Sequence, residues 1–296
     1  LGAAAARRGA GRAAAAAPRA TRTASTLLER GDGGPADPAG GLEGPVERAA
    51  EAEAVPATTS TVARPAPDWL GRRTLPTRPD GRAVPQTTPE ELWDRRFETI
   101  DRLDPPSEPR FDATVGPVDA EVIARSTWVP GCPVEPEDLA LLTMAFWGFD
   151  GRPHTGEMIV DAEVATDVVG VFEELFVARF PIEEMRIVSP ADLDALPTGD
   201  GNNTTAFVCR PVTGGTSFSE HAFGLAIDVN PFHNPYRRGQ LVLPELAGHY
   251  LDRSIGQAGM IVDGDVVVRA FADIGWSWGG NWQSLEDYQH FSRSGR

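Results

Sequence analysis

Ser219, His221, Gly224, Ala226 and Asp228 crowd into ten residues, and His290 follows Asp228 by 62 positions with Asp287 three residues before it. If these groups work together, the fold must bring the extreme C-terminal segment back against the strand that delivers Asp228. His221 and Asp228, seven residues apart, sit awkwardly on one helix face but readily on a turn that enters a strand. Gly224 between them allows a bend or a close backbone approach. Two imidazoles and one carboxylate are the three-ligand set of a hydrolytic zinc centre that keeps a position open for water. Asp287, a second carboxylate, has the chemistry of a general base acting on that water.

Taken singly, these residues have plainer readings. His221 suits a cap or surface position, Asp228 a strand end, Asp287 a helix surface, and His290 a polar terminus. Their order and spacing together argue for a shared site. A serine or cysteine nucleophile is a weaker alternative. No Gly-x-Ser-x-Gly turn surrounds Ser219, and Cys209 has no histidine in local sequence.

Residues 1–85 are rich in Ala, Arg, Gly, Pro and Thr and nearly free of large apolar side chains before Trp69. Such a stretch buries too little surface to offset its ordering entropy, so a disordered tail or linker is expected there. All seven tryptophans fall from Trp69 onward, which places one folded domain at 86–296. The chain contains no Lys and carries a formal net charge of −16. An acidic body disfavours nucleic acid as a partner. No stretch is long and apolar enough to span a membrane, and the apolar run Ala13–Ala17 is too short for a signal-peptide core. Cys132 and Cys209 suit either a disulfide or two separate buried thiols. Oligomeric state is not legible.

Thr88-Pro89-Glu90-Glu91 reads as a helix start, with Leu92, Trp93, Phe97, Ile100 and Leu103 at helical spacing. Residues 106–135 read as irregular with short strands. The apolar run from Pro136 to Phe149 ends at an Asp150-Gly151 turn, followed by a strand over Glu157–Val160. Asp161 is expected to cap a helix with Val164, Val168, Phe172, Leu175 and Phe176 on one stripe, closed by Pro181. Strands are expected at Met185–Val188, Thr205–Cys209 and Leu225–Val229, a long turn at Pro231–Gly239 and a short helix at Leu246–Arg253. Asp265 caps a further helix ending at Gly275, although the β-branched run Val266–Val268 equally suits a strand. Short strands mixed irregularly with a few helices predict an α+β fold.

At Ser219, His221, Gly224, Ala226, Asp228, Asp287 and His290 the chain resembles the M15 metallopeptidases, the zinc D-Ala-D-Ala carboxypeptidases and L-Ala-D-Glu endopeptidases. Asn202–Arg210, Asp228–Tyr236 and Gly275–Trp282 resemble the subgroup of cell-wall carboxypeptidase-like proteins, so the likeness spans roughly residues 120–293. It implies a small α+β domain of the DD-peptidase/Hedgehog-like kind, its antiparallel sheet carrying a zinc cleft. It implies Zn2+ held by His221, Asp228 and His290, with Asp287 and Arg210 catalytic and peptidoglycan stem peptides as substrate. Arg210 alternatively makes a structural ion pair. Substrate contact is expected from Arg210, Ser219 and Trp278, and Trp276, Trp278 and Trp282 either wall the cleft or pack in the core. His233 is expected near the site or in a structural role, His154 and His249 outside it. The likeness also implies a protein exported by a bacterium. A wall-binding module without turnover is the alternative on the same fold.

Overall fold

The computed structural model describes residues 63–212 and 215–295. Strands β1 (Ala113–Pro117), β2 (Leu139–Trp147) and β3 (Pro153–Asp161) form an antiparallel meander in the order β1-β2-β3. Helix α1 (Ala120–Arg125) links the first two strands, and α2 (Ala165–Val177) follows the third. Strands β4 (Glu184–Met185) and β5 (Asn203–Thr204) pair in parallel, with the short helix α3 (Pro190–Leu193) between them. Two small antiparallel sheets complete the α+β fold. One joins β6 (Ala226–Asp228), β11 (His290–Ser292) and β9 (Ser277–Trp278), with β11 in the middle; the other joins β10 (Glu286–Asp287), β7 (Tyr236–Arg238) and β8 (Leu241–Leu243), with β7 in the middle. Helix α4 (Val266–Asp273) precedes β9.

The continuous apolar run of β2 is explained by cover on both faces. Ala140, Leu142, Met144 and Phe146 pack into the main core with Val168, Val171, Phe172 and Leu175 of α2. Leu139 and Leu141 face a second cluster with Ile159, Ile187 and Phe207. The expected α2 stripe is buried at all five positions. Its N-cap is Val164, however, and Asp161 instead accepts from the Glu163 N–H at 2.8 Å. In α4 the Asp265 carboxylate accepts from the Val268 N–H, so the cap settles this β-branched run as helix. Phe271 of α4 stacks on Phe291 of β11 at 4.1 Å between ring centres, which fixes the strand that carries His290.

Several expectations are corrected. The helix over 88–103 reduces to a 3₁₀ turn at Glu90–Leu92. The Thr88 hydroxyl donates to Leu246 O and accepts from the His249 N–H instead of capping a helix. Arg95 pairs with Glu183, and Ile100 is exposed. Long-range partners therefore outweigh a helical pattern of modest propensity. Residues 106–135 contain α1, capped by Asp119. Leu246–Arg253 forms only 3₁₀ turns, at Gly248–Leu251 and then Arg253–Ile255, and the expected turn at 231–239 includes β7. The pairing strands flanking the Asp200-Gly201 loop lie at 184–185 and 203–204, short of the expected ranges.

The packed part also begins before residue 86. Leu75 and Ala83 are buried with Leu92, Phe97, Phe232, Leu246 and Tyr250. The rest of the expected tail, residues 1–62, lies outside the described residues. Cys132 and Cys209 form a disulfide across 77 positions. Among the described residues, no helix is long and apolar enough to cross a membrane.

Candidate metal centre

The approach to the site is a 3₁₀ turn, Glu220–Phe223, entered from Ser219 and closed by Gly224 at φ +69°. A side chain at 224 would place its Cβ 2.4 Å from the Asp161 amide nitrogen and 2.8 Å from the Val160 carbonyl carbon. The Gly224 carbonyl accepts from that same Asp161 N–H at 3.0 Å. The bend is thus pressed onto the end of β3, and only glycine satisfies both the left-handed φ and the contact. The chain then enters β6, with Asp228 as its last residue.

Register brings the distant segment in. His290 of β11 lies directly opposite Asp228 of β6. Asp287 ends β10, and Tyr288-Gln289 form the turn into β11. The Asp-x-x-His spacing is therefore a tight connection between two strands, not a helix surface.

His221 Nδ1 lies 2.7 Å from the Ala206 carbonyl oxygen. A carbonyl only accepts, so Nδ1 carries the hydrogen and Nε2 keeps its lone pair for the site. Nε2 is 3.3 Å from Asp228 Oδ1, and His290 Nδ1 is 3.1 Å from the same oxygen. One ligand atom from each of the three residues lies within 4.8 Å of the others, the one such group among the described residues. Both histidines are buried. Burial alone would raise the Asp228 carboxyl; the adjacent His221 and His290 outweigh it and hold it far below the usual carboxylate range.

Asp287 behaves oppositely. Burial, and then the negative charge of Asp228, push its carboxyl up to about 7, partly countered by His290, a Gln289 hydrogen bond and Arg210. Its Oδ1 is buried and has no hydrogen-bond partner among the described residues. Gly279 packs beneath it: a Cβ there would lie 2.7 Å from Asp287 O and 3.4 Å from His290 Cβ. Two imidazole nitrogens and a carboxylate converging beside an unpartnered buried oxygen fit a divalent ion of the zinc type.

The other expected residues divide. Arg210 and Ser219 are held together because Arg210 O accepts from the Ser219 N–H at 3.1 Å, beside the Pro211–Phe218 bridge. Arg210 Nη1 donates to Pro211 O, and its charge acts on Asp287. Ser219 is buried and makes no capping bond. Trp278 is a correction: it is buried in the core, its indole N–H donating to Tyr288 O. The indole beside the site is Trp282, half-buried, with its ring 5.4 Å from that of His290. Trp276 and Trp278, two residues apart, share the inward face, a period-two signal present in the sequence.

His233 is structural, bonded to Arg95 O and Asn202, while His154 lies between Asp101 and Asp150 and His249 stacks on Trp93. The disulfide removes Cys209 as a nucleophile. Ala206 and Gly279 were not singled out from sequence. Ala206 acts through its backbone, which leaves no side-chain signal.

Residues 213–293 match a family model of M15 peptidases described as D-alanyl-D-alanine carboxypeptidase. Over this segment the chain is similar to the M15 peptidases. The matched segment holds His221, Asp228, Asp287 and His290 and begins three residues after Arg210. Within this M15 segment the three ligand atoms converge, which supports assignment to a peptidase of the hydrolase class. No curated protein and no solved structure matches the chain.

Proposed function

We propose that the chain is a zinc-dependent peptidase that hydrolyses peptide bonds in peptidoglycan stem peptides, as a D-Ala-D-Ala carboxypeptidase or an L-Ala-D-Glu endopeptidase. The observation that carries this reading is the convergence of His221 Nε2, Asp228 Oδ1 and His290 Nδ1 next to the raised Asp287 carboxyl. His221, Asp228 and His290 would hold the ion, which when bound supplies Lewis-acid activation of water and of the scissile carbonyl. Ala206 O fixes the His221 tautomer so that its lone pair faces the ion. Asp287 takes a proton from the attacking water and hands it to the leaving amine, a task suited to a carboxyl that titrates near neutrality. Arg210 holds a peptide carboxylate or carbonyl oxygen as negative charge develops. Trp282 limits water access on the His290 side. Such a substrate lies outside the cytoplasm of a bacterium, and the Cys132–Cys209 disulfide suits that oxidising compartment.

The test measures zinc content and stem-peptide turnover in wild type, His221→Ala and Asp287→Asn. One zinc per chain, lost in His221→Ala and retained in Asp287→Asn with turnover down about 10²–10⁴-fold, supports the mechanism. Unchanged turnover in Asp287→Asn removes the proton-transfer role. A chain that takes up no zinc after reconstitution is a wall-binding module instead.

A further inference from the structure

A cleft of about 880 Å³ is lined mainly by residues 66–102 and 183–205, with Pro231 and Pro244 contributed by the segment matched by the family. Its size falls within the range of small-ligand sites. Thr205 lines this cleft and lies directly opposite Asp228 in an antiparallel bridge, as Asp228 lies opposite His290. Residues directly opposite one another in antiparallel pairs send their side chains to the same face. Thr205, Asp228 and His290 thus form one row, which sets the Thr205 edge of the cleft beside Asp228.

The cleft has a fixed wall and free charges. Arg95, its side chain 2% exposed, donates twice to Glu183 and once to Asp200 O, and Asn202 donates to the same Glu183. Through these bonds the network holds the two walls together without a ligand. Arg72 and Glu98 line the cleft, are exposed, and form no ion pair among the described residues. Arg102, 57% exposed, meets Glu184 through a single carboxylate oxygen. Ile100 and Leu196 present exposed apolar surface beside these charges. Unpaired charges of both signs with apolar flanks suit a short peptide bearing carboxylates and an ammonium group.

We propose that this cleft is an extended subsite for the charged stretch of the stem peptide that runs away from the scissile bond. The ligand class rests on the function proposed above. The test is calorimetric titration of the full chain with L-alanyl-γ-D-glutamyl-L-lysine, with tri-alanine as a control without side-chain charge. The titration is repeated on Arg102→Glu and Glu98→Arg, exposed positions whose folding is checked by circular dichroism. The tripeptide is expected to bind, about tenfold more weakly in each variant, and tri-alanine to give no heat. No tripeptide binding to wild type, or equal affinity in the variants, overturns the subsite. Zinc content and D-alanyl-D-alanine hydrolysis are read in the same preparations. Dipeptide hydrolysis without tripeptide binding removes the cleft alone. Tripeptide binding with charge-sensitive affinity, but neither zinc nor hydrolysis, supports the cleft and removes the catalytic reading.

Discussion

His233 makes the stability of this protein sensitive to mild acid. Its ring is buried, stacked on Phe149 at 4.7 Å and met edge-on by Tyr250. Nε2 lies 2.8 Å from the Arg95 carbonyl and donates to it; Nδ1 accepts from Asn202 Nδ2 at 3.1 Å. Both nitrogens are satisfied in the neutral ring, so a second proton has no acceptor. Burial first, and then the Arg95 and Arg253 charges, lower its pKa from 6.5 to about 3. The unfolded chain takes up a proton near 6.5 while the folded chain does not until about 3. The contribution is therefore complete above 6.5 and declines as pH falls through that window, by about 1.4 kcal/mol per pH unit. Between pH 7.5 and 5.0 the loss amounts to about 2 kcal/mol. Urea unfolding of wild type and His233→Gln at both pH values measures it, because other titrating groups are common to the two chains. Wild type should lose about 2 kcal/mol more than the variant on acidification. Parallel losses in both would refute the assignment of a neutral buried imidazole.

Gly224→Ala should destabilise the fold by roughly 2 kcal/mol or more, seen as a lower urea midpoint, because φ +69° and the 2.4 Å approach to Asp161 both oppose a Cβ. Gly279→Ala should weaken zinc affinity and turnover together, since its Cβ would displace the backbone of Asp287 and crowd His290; metal titration and steady-state kinetics check this. Reduction of Cys132–Cys209, which closes a 77-residue separation, should lower unfolding stability by about 4 kcal/mol, measured by denaturation with and without reductant.

Much of the candidate site was legible because its chemistry is written in contiguous residues. His221, Gly224 and Asp228 occupy one short segment, and His290 follows a second carboxylate at a fixed short spacing. The apolar stripe of α2 and the Asp265 cap of α4 were legible for a related reason, since both arise from neighbours along the chain. Tertiary structure decided what depends on distant partners. The helical pattern after Thr88 yielded to bonds with Leu246, His249 and Glu183, none of them near in sequence. Residues 63–85, plain in composition, were drawn into the fold through buried Leu75 and Ala83. Trp278 and Trp282 look alike in sequence, yet one fills the core and the other flanks His290. The cysteine pairing and the Thr205–Asp228–His290 row were likewise set only by the paths of separate segments in space. Residue type and local spacing specify which chemistry is available, whereas cross-strand register and long-range hydrogen bonds decide which groups meet.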